Sequence, residues 1–228
     1  MRAVAFVLAA AAPYHASALL DHGARRALRG RRLRGATFGL VTRASPSDAN
    51  PMASLQYYGK SVAIDGDIAV VGAFGDSREA GAAYVLRTTD GGATYVELAK
   101  LTASDGGNDH RFGWSVAIDG NTVVVGAVQS DNGGTGAAYV FRTSDGGATY
   151  GQVAKLTASD AAASDCFGIS VAIAGATIVI GANLDDGGGY KSGSVYAFRT
   201  TDGGATYDQM DKLTATDGSM QEYFGTSV

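Results

Sequence analysis

The feature that most limits what this chain can fold into is a line it writes three times: "RTTDGGATYVELAKLTASD" from Arg87, "RTSDGGATYGQVAKLTASD" from Arg142 and "RTTDGGATYDQMDKLTATD" from Arg199. A second marker keeps the same rhythm: "YGKSVAIDG" at Tyr58, "FGWSVAIDG" at Phe112, "FGISVAIAG" at Phe167 and a partial "FGTSV" at Phe224. Both advance by 54 to 57 residues. A fixed period of that length marks an array of like units, none of which can bury its apolar face alone. Three units result, over about 57–111, 112–166 and 167–223, with a truncated fourth at 224–228.

Each unit reads as four strands separated by turn signals. In the second unit the first strand is "WSVAI" (Trp114 to Ile118), closed by Asp119-Gly120-Asn121, where Asp-Gly favours a tight hairpin. "TVVVGA" (Thr122 to Ala127) follows, a β-branched run with no polar interruption, as expected of a strand covered on both faces. "AAYVFRT" (Ala137 to Thr143) is the third strand and "YGQVAKLTAS" (Tyr150 to Ser159) the fourth. With 33 Gly, 3 Pro and 18% charged residues, the chain is turn-rich and globular rather than disordered. Four antiparallel strands repeated radially are the blade of a β-propeller. The fold class expected is therefore all-β, a partial propeller of about three blades plus the start of a fourth, preceded by a leader. Because propellers close with about four to eight blades, the expectation is either an incomplete chain whose further blades are missing or an open wedge, with an exposed, associating edge.

Two signatures in these lines resemble known families. "FGWSVAIDGNTVVVGA" and "FGISVAIAGATIVIGA" are similar to FG-GAP repeats, the blade unit of the integrin alpha-chain propeller, and the resemblance covers residues 58 to 228. Phe112, Gly113, Gly126, Phe167, Gly168 and Gly181 carry it. "TTDGGATY" and "TSDGGATY" resemble the Asp-box, which sits between the third and fourth strands of sialidase-like propellers. In that turn Asp90, Asp145 and Asp202 are placed to accept backbone N–H groups, and Tyr95, Tyr150 and Tyr207 to fill the space between blades. The resemblance implies a binding or adhesion role. In FG-GAP repeats that hold calcium, alternating carboxylates occupy the first hairpin loop. Here that loop has shrunk to "IDGDIAV", "IDGNTVV" and "IAGATIV", with at most Asp65 and Asp67, so a structural hairpin and no cofactor are expected.

The first 50 residues carry eight arginines against Asp21 and Asp48. Met1-Arg2, an apolar run at 3–12 and the small residues Ala16 to Ala18 have the order of a secretory signal peptide. The run is too short to span a bilayer. Residues 1–18 are read as that signal, 19–56 as an Arg-rich leader or linker, and the destination as the cell exterior or surface. A two-part signal to an organelle lumen is the alternative. The acidic remainder argues against nucleic acid. With Cys166 alone, no intrachain disulfide forms.

Repetition also sorts the candidate site residues. A residue present in every unit belongs to the scaffold, including Arg87, Arg142 and Arg199. Ligand chemistry is sought where units differ: the second-to-third strand loops and the connections between blades, which share one face. Those stretches hold Asp76, Arg78 and Glu79; Asp109, His110 and Arg111; Asp131 and Asn132; Asp165; and Asp185, Asp186, Tyr190 and Lys191. They form an acidic, Gly-rich rim suited to a protein, a glycan or a divalent cation. No H-E-x-x-H, P-loop or G-x-S-x-G motif is present, and no carboxylate pair has a glycosidase context. The function expected is a non-catalytic binding module. A propeller glycan hydrolase and a purely structural array are the rivals.

Overall fold

The computed structural model describes residues 57–128, 134–217 and 220–228. The signal and leader assigned to 1–56, and the candidates Asp131 and Asn132, lie outside them.

Twelve strands form three four-stranded antiparallel sheets, each sequential in order. Blade 1 is β1 (Tyr58–Asp65), β2 (Ile68–Ala73), β3 (Ala82–Arg87) and β4 (Val96–Leu101). Blade 2 is β5 (Phe112–Asp119), β6 (Thr122–Ala127), β7 (Ala137–Arg142) and β8 (Gly151–Leu156). Blade 3 is β9 (Phe167–Ala174), β10 (Thr177–Ala182), β11 (Ser194–Arg199) and β12 (Asp208–Thr214). The first strands of successive blades, β1, β5 and β9, lie side by side and mark the inner edge.

Three strands differ in extent from the sequence reading, for local reasons; the third ends at Arg142, since Thr143 already belongs to the Asp-box turn. The first starts at Phe112 rather than Trp114, because the Phe-Gly pair is taken into the ladder through a bulge between Phe112 and Ser115. The fourth begins after Tyr150 and ends at Leu156. Its first expected residue belongs to the Asp-box turn, and the chain departs for the next blade after Leu156.

The first hairpin of each blade is a two-residue loop with glycine leading, Gly66, Gly120 and Gly175 at φ +55, +54 and +56. Its aspartate fastens blades together. Asp65 Oδ2 accepts the Gly120 N–H at 2.6 Å, and Asp119 Oδ2 that of Gly175 at 2.5 Å. Blade 3 has Ala174 there and so offers no such acceptor.

The core lies between blades. Val70, Val85 and Leu101 of blade 1 meet Phe112, Val123, Val125, Tyr139 and Phe141 of blade 2. Val124, Val140 and Leu156 repeat this against Phe167, Ile178, Ile180, Tyr196 and Phe198 of blade 3. On the far side of blade 3 the equivalent leucine, Leu213, is 46% exposed, against 3% for Leu101 and 4% for Leu156.

Polar ties repeat at each joint. Ser61 Oγ donates to the Gly113 carbonyl at 3.0 Å, Ser115 Oγ to that of Gly168 at 2.7 Å and Ser170 Oγ to that of Gly225 at 2.7 Å. Arg87 donates to the Gly146 carbonyl and Arg142 to that of Gly203. The arginines thus bind each blade to the Asp-box of the next. Tyr150 and Tyr207 stand in the two inter-blade cores, and Tyr95 against Ala69, Val71 and Leu86 of blade 1.

Within each Asp-box the carboxylate organises the turn. Asp90 accepts the Thr94 N–H at 2.8 Å and the Thr94 hydroxyl at 2.7 Å, and the Thr88 hydroxyl at 2.8 Å. These bonds, those of Thr94 foremost, lower the Asp90 pKa to about 2; Asp145 and Asp202 are depressed by the same contacts from Thr149 and Thr206. A carboxylate depressed in the folded state stabilises above its unfolded pKa of about 4, and that contribution fades as pH falls toward the folded value. The urea midpoint of the chain is therefore expected to drop between pH 4.5 and 2. The D90N/D145N/D202N variant keeps the shape without the titration, and its drop should be shallower. Identical pH profiles would refute the assignment.

Candidate functional site

The connections that enter each inner strand and the loops between second and third strands meet at one end of the wedge. Isolated parallel bridges record this: Gly81 with Phe112, Gly136 with Phe167 and Gly193 with Phe224. Immediately before each Phe-Gly or Tyr-Gly pair a residue adopts positive φ: Tyr57 +48, Arg111 +53, Cys166 +58 and Tyr223 +55. The residue after the pair donates its N–H back to that residue's carbonyl, Trp114 to Arg111 at 3.2 Å and Ile169 to Cys166 at 3.1 Å. Each tight turn so formed delivers one side chain to the inner edge.

Those four side chains, Lys60, Trp114, Ile169 and Thr226, line a groove of about 410 Å³ together with Ser61, Ser115 and Ser170. The serines are committed to the joints, so the changing residues set the groove's chemistry. Lys60 Nζ stands 4.5 Å from the Trp114 ring centroid. Phe74 lies 4.8 Å from Trp114, and Tyr57, 48% exposed, stacks on Phe74 at 4.4 Å. The result is an aromatic run from the loop end into the groove with one ammonium beside it. Sequence reasoning missed these residues. The signal was present in the x of F-G-x-S, which changes from Lys60 to Trp114 to Ile169 to Thr226 between constant neighbours.

The rim residues named from sequence fall into separate local groups. In blade 1 the loop after β2 carries three successive left-handed residues, Ser77, Arg78 and Glu79, at φ 49, 63 and 63. Such backbone costs about 1 kcal/mol or more per residue and is held by its partners. The Arg111 N–H donates to the Glu79 carbonyl at 2.7 Å, and the Arg111 guanidinium pairs with the Glu79 carboxylate at 2.9 Å. Arg78 is exposed; Asp109, at φ 65, and His110 are half-buried on the connection to blade 2. In blade 3, Asp186 accepts the Lys191 N–H at 2.6 Å, and Lys191 Nζ lies 5.2 Å from the ring of exposed Tyr190.

Three rim candidates point inward. Asp76, Asp165 and Asp185 are only 5%, 6% and 4% exposed, so their carboxylates are structural rather than rim-facing. Asp76 pairs with Lys100 at 2.5 Å and accepts the Tyr84 hydroxyl at 3.1 Å. Asp185 pairs with Lys212 at 3.0 Å and accepts Ser194 Oγ at 2.5 Å. Burial opposes ionisation of Asp185, but the Ser194 and Lys212 contacts hold its pKa below the ordinary range. Asp165 accepts the Ala162 N–H at 2.7 Å, and burial raises its pKa. Buried charges of this kind are tolerated because each has a partner. Among the described residues no three His, Cys, Asp or Glu side chains converge as a metal site. No helix among them is long and apolar enough to cross a membrane.

A sequence model described as FG-GAP repeat matches residues 39–86, 95–141 and 150–198. The first match begins inside the stretch read as leader. There "GATFGLVTRASPSD" (35–48) parallels "GATYVELAKLTASD" (92–105), a likeness hidden by Pro46 and the arginines before it. Among solved structures the chain is similar to the crystal structure of Saccharomyces cerevisiae Sqt1, with 13% identity and a TM-score of 0.48 over 71% of this chain and 36% of that one. It is also similar to a DUF4623 family protein from Bacteroides eggerthii, with 11% identity and a TM-score of 0.49 over 74% and 38%. The chain thus spans well under half the length of either. No curated protein matches it.

Proposed function

Because the chain belongs to the FG-GAP repeat family, we propose that it is a binding module whose ligand rests on the loop end of the wedge, without catalysis at that face. One observation carries the reading: the side chains that differ from blade to blade, Lys60, Trp114, Ile169 and Thr226, converge on a single groove flanked by the aromatic run Tyr57, Phe74 and Trp114. Aromatic faces offer large contact area at little entropic cost. The Lys60 ammonium adds a donor, and the Glu79–Arg111 pair borders the same end. The signal-like N-terminus supports an extracellular or cell-surface setting, and adhesion to a protein or glycan is the role we assign.

Trp114 is the sole tryptophan, so its fluorescence reports on the groove directly. The purified full chain is to be applied to arrays of immobilised extracellular proteins and of glycans, and each hit titrated in solution. Binding is expected to shift Trp114 emission and to weaken about tenfold or more in Trp114→Ala and Tyr57→Ala, the loss of one aromatic anchor. Hits indifferent to both substitutions would place the ligand elsewhere. Release of fluorophore from 4-methylumbelliferyl glycosides would replace binding by hydrolysis.

A further inference from the structure

The hydrogen bonds inside the groove decide which ligand it suits. Ser61, Ser115 and Ser170 donate to the carbonyls of Gly113, Gly168 and Gly225, and the Thr226 hydroxyl donates to the Tyr223 carbonyl at 2.7 Å. Every hydroxyl proton of the lining is thus spent within the fold. The other lining side chains are Lys60, Trp114, Val116, Ile169 and Val171. Of these, only the Lys60 ammonium and the Trp114 indole N–H can donate. No carboxylate, amide or imidazole lines the groove.

Lys60 is exposed, its ammonium rests on the Trp114 ring, and among the described residues no carboxylate pairs with it. Lys100, Lys155 and Lys212 also stand over aromatic rings, and each of them holds an aspartate. The remaining walls of the groove are apolar, with Val116 and Val171 buried and Trp114 and Ile169 half-buried. One ammonium beside apolar walls suits a carboxylate carried on an apolar group, since the charge finds its partner and the rest leaves water.

Carriers of a carboxylate differ in what else they bring. An acidic sugar brings several hydroxyls, and the lining offers them no carboxylate or amide. An internal aspartate or glutamate brings a peptide unit on each side, whose N–H and C=O groups would go unpaired against Val116, Ile169 and Val171. A chain end carries its carboxylate and its side chain on one carbon. The groove's volume of about 410 Å³ stands at the low end for small-ligand sites, roughly 300 to 1,000 Å³, and so takes a terminal residue rather than a folded surface. Resting on the loop-end binding proposed above, we infer that the groove captures the C-terminal residue of a protein partner. Its α-carboxylate sits on the Lys60 ammonium and its aliphatic side chain against Trp114 and Ile169.

The test titrates the full chain, read by Trp114 emission, with N-acetyl-Gly-Gly-Leu as the free acid and as the C-terminal amide. N-acetyl-Gly-Asp-Leu-Gly-amide, whose charge is internal, and 4-methylpentanoate, which has the leucine side chain and carboxylate without the peptide, complete the set. The acid is expected to bind in the millimolar range and the amide about tenfold more weakly, the loss of a charged hydrogen bond. Lys60→Met should bring the acid down to the amide and leave the amide unchanged, while Lys60→Arg keeps the preference. Both replace an exposed side chain, and thermal unfolding should match the parent. Equal binding of acid and amide, a preference that survives Lys60→Met, or no response to the acid at its solubility limit would overturn the inference. So would equally tight binding of the internal aspartate peptide or of 4-methylpentanoate, which would reassign the groove to an acidic loop or to a small apolar acid. An array ligand that needs Trp114 and Tyr57 but is not displaced by the acid would leave loop-end binding in place and sink the chain-end reading alone. Array ligands indifferent to both substitutions count against loop-end binding whatever the peptides do.

Discussion

Gly126→Ala is expected to force blade 2 away from blade 3 and to remove a large part of the chain's stability. A Cβ on Gly126 would stand 2.1 Å from the Gly168 carbonyl oxygen and 2.3 Å from Ser115 Oγ. Neither can retreat freely, because Ser115 Oγ donates to that same carbonyl and Gly168, at φ +90, is fixed in the bulge. Gly126 itself does not need a left-handed backbone, so the cost is one of space alone. Overpacking of this severity costs about 3 kcal/mol, which in a chain of this size lowers Tm by roughly 10 °C. Gly146→Ala is the control: its Cβ would meet nothing within 4 Å, although φ is +70. Left-handed backbone alone costs about 1 to 2 kcal/mol. Thermal and urea unfolding of the two variants should rank them in that order, and equal losses would show that the blades yield at the joint.

Phe112→Ala is expected to have the largest effect of any single truncation. Its ring is fully buried between blades 1 and 2, edge-on to Tyr139 at 5.5 Å and to Phe141 at 5.8 Å. Removing a buried phenylalanine costs about 3 to 5 kcal/mol through lost transfer energy and the cavity left behind. The edge-to-face pairs add about 1 kcal/mol of coupling to Tyr139, measurable by a double-mutant cycle. Phe224 holds the same place in the motif but is 39% exposed, so Phe224→Ala should cost far less. Similar urea midpoints for the two variants would mean that the motif stabilises within a blade and not between blades.

The two substitutions act on the same fact, that the repeated residues make the joints. Gly126, Gly168 and Ser115 bring neighbouring backbones into contact, Arg87 and Arg142 tie each blade to the next Asp-box, and Asp65 and Asp119 strap successive hairpins. Arg199, the third arginine, is exposed in blade 3.

Strand number, hairpin type and blade order were legible in the sequence because they depend on local patterns: β-branched runs, Gly after Asp, and a strict period. The separation of scaffold from site was legible in principle too, since a side chain that changes between identical neighbours is free of the joint. Applied to long loops alone, that rule passed over Lys60, Trp114 and Ile169, which sit inside strands, and Thr226, which holds the same place in the fourth copy of the motif. It also grouped Asp76, Asp165 and Asp185 with the solvent-facing rim. Whether a loop aspartate faces water or a lysine depends on the chain that lies beside it, and Lys100 and Lys212 are 24 and 27 residues away.

By itself, then, the sequence determined the unit, its four strands and the contacts each unit makes with the next, because a repeated residue meets a repeated environment. Only the tertiary structure decided which variable side chains converge. The tight turn before each inner strand aims one residue of every blade at the same groove, and the loops of blades 1 and 3 turn an aspartate inward. Such placements follow from three-dimensional proximity, across blades at the groove and between a loop and the outer strands of its own blade at the aspartates, which no local pattern encodes.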